Sequence, residues 1–267
     1  MRFSVLGSGS AGNATLLACG DEALLIDCGL SLRQLERRMA LLDFPPAAIT
    51  AILITHEHAD HIASAAALSR KYRIPILTTH GTHAAAVERL ACAYGIDYLS
   101  ADSRIDFGVF NIQAVRVPHD AREPCQFVIT DGEWRFGMLT DVGQITPHLL
   151  REFAALDALV LEFNHDGALL AASVYPHFLR ERIGGPYGHL SNLQAADMLA
   201  RLDVARLRTV VAAHLSEKTN RPALVAEYLR ELAPARARWA IAKQHEILPW
   251  CALGETTEYP TTRRAER

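Results

Sequence analysis

The stretch Thr55-His56-Glu57-His58-Ala59-Asp60-His61 is the most informative part of this chain. It places three imidazoles and the carboxylate of Asp60 within six residues. Such groups are costly to bury without partners, and they are ordinary ligands of divalent metal ions. The spacing H-x-H-x-D-H arises by chance in roughly one sequence in a thousand of this kind. The stretch therefore predicts a metal site.

The flanking residues place this motif on a turn between a strand and a helix. Ala51-Ile52-Leu53-Ile54 is a continuous apolar run typical of a strand buried on both faces, and residues 62–71 (IASAAALSRK) predict a helix. Side chains alternate along an extended chain, so His56 and His58 point to one side. Asp60 and His61, at the helix entrance, point elsewhere. This pattern favours two adjacent metals, one held by each pair.

The length and composition predict a large folded unit. The chain has 267 residues, and 50% of them are hydrophobic, which is enough for a sizeable core. Apolar strands alternate with amphipathic helices in both halves, which predicts two facing mixed sheets with helices on both outer faces. We expect one domain over 1–253, followed by a frayed polar tail over 254–267 (GETTEYPTTRRAER).

Charge and cysteine content exclude several classes of protein. A formal net charge of −3 gives no overall attraction to nucleic acid, so phosphate binding requires metals or a local basic patch. The five cysteines lack C-x-x-C spacing, which argues against a disulfide framework or a thiolate zinc site and favours a reduced, cytoplasmic setting. No segment approaches the roughly 20 apolar residues of a membrane span, so we expect a soluble protein.

Two further ligand candidates follow predicted strands. His119 comes after the strand at 109–117, and Asp141 comes at the end of the strand at 134–140. A catalytic pair of ions needs about three protein ligands on each ion and an anionic group between them. His119 would complete the first site, and the carboxylate of Asp141 could bridge both. His80 and His83 are three residues apart, but surface or capping roles are favoured for them because no third ligand is near in sequence.

A glycine-rich loop, GSGSAGN at residues 7–13, follows the first predicted strand. Its backbone N–H groups, with the side chains of Ser10 and Asn13, can contact an anionic substrate. A tight hairpin loop without a ligand is an equally good interpretation. No Walker lysine follows, which excludes a P-loop.

Several motifs together resemble a known family. The motif at residues 56–61 is similar to that of the metallo-β-lactamase superfamily, whose fold is an αββα sandwich with metals at one rim. Together with GSGSAGN, the motifs EFNHD (162–166), GHLSN (188–192) and AHLSEKTNRP (213–222) resemble the YycJ/WalJ group of that superfamily. Members of the group are regarded as metal-dependent 5′ to 3′ DNA exonucleases. The resemblance implies that His214 is the last metal ligand and completes the second site with Asp60, His61 and Asp141.

The ligand set predicts phosphodiester hydrolysis. Imidazole and carboxylate donors suit two divalent ions, Zn²⁺ or Mn²⁺. A water shared by two such ions can attack phosphorus in line. His189, on the glycine-rich loop at 184–192, is the candidate for protonating the leaving oxygen or holding the phosphate, and Asp60 is the second candidate for a direct part in catalysis. A loop histidine bonded only to backbone is the alternative for His189. His165 either orients the substrate or supports a ligand.

The substrate is less closely defined than the chemistry. We expect a nucleic acid, preferably DNA, with no membrane association and no obligate protein partner. Alternatives are a small-molecule or cyclic-nucleotide phosphodiesterase, an RNA-processing nuclease, a thioester or lactone hydrolase, and a metal-stabilised scaffold without activity. Four basic residues that flank the loops of His165 and His189 could contact phosphates or could be solvated surface: Arg180, Arg182, Lys218 and Arg221.

Overall fold

The computed structural model describes residues 1–254, so the predicted tail lies, apart from Gly254, outside the described residues. In that range the strands, in chain order, are β1 Arg2–Gly7, β2 Ala14–Cys19, β3 Glu22–Ile26, β4 Ala51–Leu53, β5 Ile76–Thr79, β6 Ile96–Leu99, β7 Arg104–Phe107, β8 Phe110–Arg116, β9 Cys125–Thr130, β10 Arg135–Leu139, β11 Ala158–Glu162, β12 Thr209–Ala213, β13 Arg238–Ile241 and β14 Cys251–Ala252.

These strands form two mixed sheets in the described part of the chain, each with seven strands. The first has the order β14-β1-β2-β3-β4-β5-β6 and is parallel from β3 to β6. The second has the order β13-β12-β11-β10-β9-β8-β7 and is parallel from β10 to β13. The strands from β7 to β10 pair antiparallel.

The helices cover both outer faces of the pair of sheets. They are α1 Leu32–Ala40, α2 Ala59–Ile62, α3 Ala65–Tyr72, α4 His80–Ala85, α5 Val87–Leu90, α6 Pro147–Glu152, α7 Gly167–Ala171, α8 His177–Gly184, α9 Asn192–Arg201 and α10 Pro222–Leu232, with a short 3₁₀ helix at Pro46–Ala48. Ser31 and Ser191 cap α1 and α9 through capping boxes with Gln34 and Gln194. None of the helices in residues 1–254 is long and apolar enough to cross a membrane.

The apolar core has three layers, one between the two sheets and one between each sheet and its helices. One cluster lies between the sheets and includes Phe3, Phe127 and Phe136. A second packs α1 and α3 onto the first sheet, and a third packs α6, α9 and α10 onto the second sheet. Each strand in the middle of a sheet is therefore buried on both faces, as its continuous apolar sequence predicts. The predicted αββα sandwich is confirmed.

The helix after the metal motif differs from the sequence expectation. It begins earlier, at Ala59, and is interrupted, so that Asp60 and His61 lie inside α2. The interruption is at Ser64, whose backbone N–H donates to the carbonyl of Cys28 and whose hydroxyl donates to the carbonyl of Leu30. These bonds to the chain after β3 compete with helical hydrogen bonding, which sequence periodicity does not reveal.

Candidate metal centre

The candidate ligands lie where strands of both sheets end at one rim. The motif at 55–61 follows β4 of the first sheet, whereas Asp141 and His214 follow β10 and β12 of the second. Asp27, Asp141 and His214 have φ values of 61°, 53° and 56°, which is the left-handed region. Asp and His tolerate this region better than most residues, and such backbone turns cluster at functional sites. The chain therefore turns sharply just past these strands and keeps the side chains at the rim.

Three histidines form the first group of ligands. Nε2 of His56 lies 3.0 Å from Nδ1 of His58, and Nε2 of His119 lies 3.3 Å from the same atom. The three rings therefore direct one nitrogen each to a common point, as the sequence predicts for the first metal site. One ring nitrogen from each of His56, His58 and His119 lies close enough to the other two for the three to hold one metal ion.

The second group combines a carboxylate with two histidines. Oδ2 of Asp60 lies 3.5 Å from Nε2 of His61 and 3.6 Å from Nε2 of His214. Asp141 lies between the groups: its Oδ2 is 3.2 Å from Nε2 of His61, and its Oδ1 is 3.9 Å from Nε2 of His119. The seven residues predicted as ligands thus converge at one place.

Each ring that points Nε2 into the centre has a partner at Nδ1. His61 and His214 contact the carboxylates of Asp27, at 2.7 Å, and Glu162, at 3.0 Å. Nδ1 of His119 donates to the carbonyl of Gly188 at 3.1 Å, and Nδ1 of His56 contacts the hydroxyl of Thr55 at 3.0 Å. A proton held on Nδ1 leaves the Nε2 lone pair available to a metal.

Two buried atoms support this interpretation. Within residues 1–254, Oδ2 of Asp141 and Nε2 of His214 have no hydrogen-bond partner, although Asp141 is only 2% exposed. Buried polar atoms are almost always hydrogen-bonded, so a carboxylate oxygen and a ring nitrogen that lack a hydrogen bond at the centre of a ligand cluster favour a bound cation. A divalent ion fits both atoms, and the histidine and aspartate clusters support divalent metal binding by this chain.

The electrostatics of the cluster couple metal binding to pH. Burial opposes the charged form of His214, but the carboxylates of Asp141, Asp60 and Glu162 raise its pKa to about 10. Burial also opposes ionisation of Asp141, yet its neighbours His214 and His61 hold the pKa of this carboxyl well below its usual range. An ion that binds through Nε2 of His214 must displace a proton, so metal affinity should rise with pH.

Asp27 and Asn13 contact the ligands and fix their orientation. The carboxylate of Asp27 accepts hydrogen bonds from the backbone N–H and hydroxyl of Thr55 as well as contacting His61. Asn13 is 2% exposed; its Oδ1 accepts from Gly9 N–H, and its Nδ2 lies 3.1 Å from Nε2 of His61 and 3.4 Å from Oδ2 of Asp60. Asn13 was expected to contact substrate, but its contacts are with the ligands.

Glu162 is a central residue that sequence reasoning missed. It is fully buried at the end of β11. Its Oε1 accepts from Nδ1 of His189 at 2.8 Å and of His214 at 3.0 Å, and its Oε2 accepts from the backbone N–H groups of Val142 and Leu190, both at 3.0 Å. A signal was present, because Glu162 directly follows an apolar strand, as Asp141 does.

His189 borders a cleft of about 360 Å³ beside the ligands. Its side chain is 23% exposed. The same cleft is lined by Ser10 and by the ligands His58, Asp60, Asp141 and His214. Burial opposes protonation of His189, but Glu162 and Asp141 raise its pKa. The alternative of a loop histidine bonded only to backbone is wrong, because its partner is the Glu162 side chain.

The other candidates are placed as follows. His165 is 3% exposed and does not line the cleft, which favours its supporting role over substrate contact. His83 contacts the hydroxyl of Tyr98 at 2.8 Å, and His80 stacks on the same ring. Arg182 lines the cleft, whereas Arg180 donates to the backbone carbonyl of Ala171.

Comparison with known proteins places the chain in a family. Residues 22–214 match the model described as "Beta-lactamase superfamily domain". The chain is 31% identical over 223 residues to "Exodeoxyribonuclease YycJ" of Bacillus anthracis, covering 82% of this chain and 84% of that protein. It is 32% identical over 226 residues to "Exodeoxyribonuclease WalJ" of Streptococcus pneumoniae serotype 2, covering 82% and 83%.

A solved structure agrees with the observed architecture. The metallo-beta-lactamase fold protein YhfI from Bacillus subtilis superposes with a TM-score of 0.72 at 18% identity, covering 92% of this chain and 98% of that chain. At this identity the likeness shows the fold alone. The chain therefore belongs to the β-lactamase superfamily, within the YycJ and WalJ group, and adopts the metallo-β-lactamase fold.

Proposed function

We propose that this protein is a metal-dependent exonuclease that degrades DNA from the 5′ to the 3′ end. The observation that carries the proposal is that two groups of ligands, with Asp141 between them, converge beside an open cleft bordered by His189. Relatives named exodeoxyribonucleases, matched over 82% of the chain, support a nucleic acid substrate and DNA in particular. The polarity rests on the resemblance to the YycJ/WalJ group.

The cluster would hold two divalent ions, Zn²⁺ or Mn²⁺. His56, His58 and His119 would hold one, Asp60, His61 and His214 the other, and Asp141 would contribute to both. When bound, the ions would supply Lewis-acid activation of water and neutralise charge on the phosphate oxygens. Asp60 would contribute to catalysis as a ligand at the open side of the centre, where its side chain is 24% exposed.

His189 would protonate the leaving oxygen. Its Nδ1–H donates to Glu162, so Nε2 is the atom that can transfer a proton to the substrate. Glu162 and Asp141 raise the pKa of His189 against the effect of burial, which favours the protonated ring that a proton donor requires. Ser10, which also lines the cleft, would contact a phosphate oxygen, while Asn13 and His165 would position ligands and loops rather than touch substrate. We propose residues 1–253 as a single domain that acts without an obligate protein partner.

The function is tested by metal analysis and end-labelled digestion. The purified protein should contain two divalent ions per chain, and it should shorten single-stranded and duplex DNA from the 5′ end. Labels on the 5′ and 3′ ends separate the two polarities, and matched RNA separates the nucleic acids. Chelation should abolish digestion, and added Zn²⁺ or Mn²⁺ should restore it. Turnover of a glutathione thioester but not of DNA would overturn the proposal.

A further inference from the structure

One wall of the cleft is formed by α8 and the residues before it. Tyr175, Leu179, Arg182 and Ile183 line the cleft from this side. Leu179, Arg182 and Ile183 belong to α8, and their spacing of three and four residues places them on one face of the helix. The metal ligands His58, Asp60, Asp141 and His214 form the polar part of the lining. The cleft therefore combines a ligating wall with a wall that presents an aromatic ring and two aliphatic side chains.

The helix that forms this wall is unusual among those of the fold. Every residue of α8 remains at least partly exposed, whereas α9 and α10 each bury an apolar face in the core. Leu179 and Ile183 are half-buried and turn to the cleft, and Phe178, on another side of the helix, is 70% exposed. Apolar side chains that line an open cleft rather than the core fit a ligand with an apolar face.

The charges beside this wall are suited to a phosphate. Nζ of Lys218 lies over the Tyr175 ring, 5.4 Å from its centroid, so a cation covers one face of the ring. Arg182 also lies on this wall, but its Nε donates to Oδ2 of Asp120 at 2.5 Å, which offsets its charge. The opposite face of the ring can then stack on a base, and the nearby cation suits the phosphate that adjoins it.

The size of the cleft limits what can occupy it. About 360 Å³ is at the lower end of the roughly 300–1,000 Å³ range of small-molecule pockets. This volume suits one nucleotide. A terminal base that enters the cleft must therefore leave its pair.

On the basis of the proposed nuclease function, we propose that Tyr175, Leu179 and Ile183 form a subsite for the unpaired terminal base of a DNA strand. Tyr175 stacks on the base, and Lys218 contacts the neighbouring phosphate. On a duplex, the terminal base pair accordingly opens before the base enters this subsite.

Stacking is tested directly by fluorescence. The probe is a single strand with 2-aminopurine as its 5′-terminal base and a charged methylene phosphonate, which resists hydrolysis, as its first linkage. The metal-loaded wild type and Tyr175→Phe should quench the fluorescence on binding, and Tyr175→Leu should not. Phe178→Leu, which changes an exposed ring on the same helix, is the matched control and should quench as the wild type does.

Kinetics provide the second readout. Tyr175→Leu should raise KM for a single strand roughly 5- to 150-fold, which is what stacking of one base on an aromatic ring contributes. On a strand whose terminal nucleotide is abasic, the variant and the wild type should have the same KM. Melting temperatures of all variants should agree with that of the wild type.

The outcomes separate this inference from the proposed function. Equal quenching by the wild type and Tyr175→Leu, or an equal KM defect on the abasic strand, overturns the subsite while leaving the nuclease function intact. An equal loss in Phe178→Leu assigns the effect to helix packing and also overturns it. A wild type that digests no DNA at all overturns the proposed function, and the subsite with it.

Discussion

Glu162→Gln should weaken metal binding although Glu162 is not itself a proposed ligand. One carboxylate oxygen accepts from two imidazole N–H groups, and the other accepts from two backbone N–H groups. Glutamine has only one acceptor oxygen. If that oxygen serves the backbone of Val142 and Leu190, the NH₂ group faces Nδ1 of His189 and His214, and both rings must then be unprotonated at Nδ1.

The size of the effect follows from the tautomer of His214. A neutral ring without a proton on Nδ1 carries it on Nε2, the atom directed at the ion. Loss of such a partner usually costs 10- to 100-fold in metal affinity, or about 1.4–2.7 kcal/mol. In the opposite orientation, the amide oxygen accepts from the two imidazoles, and the NH₂ group faces the backbone N–H groups of Val142 and Leu190. Each of these buried donors then lacks an acceptor, which costs about 1–3 kcal/mol of folding free energy. Both orientations therefore carry a cost.

A competition titration with a chelator measures the predicted change in the Kd for Zn²⁺. Glu36→Gln is the matched control: it removes the same charge at the surface, where Glu36 pairs with Lys71, and should leave the Kd unchanged. Wild-type metal affinity in a natively folded Glu162→Gln protein would refute the tautomer argument.

Acid unfolding after chelation gives an independent readout of the same variant. Burial opposes ionisation of Glu162, but His189 and His214 lower its pKa from 4.5 to about 2. A carboxyl with a lowered folded pKa stabilises the protein above its unfolded value, and this contribution is lost as the pH falls from 4.5 towards 2. The wild type should lose stability in this window, and Glu162→Gln should lose less, because Asp141 still contributes.

Three further changes test other parts of the centre. Asp141→Ala should retain less metal by elemental analysis than His119→Ala, because only the shared carboxylate serves both ions; near-full occupancy would contradict this. His189→Ala should keep its metal and its melting temperature while turnover falls by roughly 10²–10⁴, and the loss should be larger on DNA than on bis(p-nitrophenyl) phosphate, whose leaving group needs little protonation. Gly29→Ala would place a methyl carbon 1.6 Å from a backbone oxygen in α2, so metal content should fall, whereas Gly95→Ala, in open space, should match the wild type.

The local parts of the site could be predicted from sequence. The motif at 56–61 sets its own geometry, since a strand followed at once by a helix directs neighbouring side chains in fixed directions. His119 and Asp141 were recognised because each follows a strand and the motif requires further ligands. His214 was assigned through family resemblance. The boundary at residue 253 stays a prediction.

The partners of the supporting residues could not be predicted because they depend on contacts between segments that are distant in sequence. Glu162 meets His214 because β11 and β12 are neighbours in the sheet, and Asp27 meets His61 across 34 residues of sequence. Asn13 shows the same limit: its loop has the composition of an anion site, but its side chain turns inward to His61. Periodicity predicts which face of an element is buried, but not which buried polar groups will pair.

The division of the ligands between two sheets has a consequence for the lifetime of the protein. The ligands that follow β4 are attached to the first sheet, and those that follow β8, β10 and β12 are attached to the second. A chain in which the two sheets have not yet packed together therefore offers only part of the ligand set. An ion that binds only after the sheets have met should leave the folding rate nearly unchanged and slow unfolding, because the contact it strengthens forms late. Stopped-flow measurements with and without Zn²⁺ would detect this, and an equal acceleration of folding would contradict it. Metal supply would then govern how long each folded molecule survives proteolysis rather than how quickly it forms.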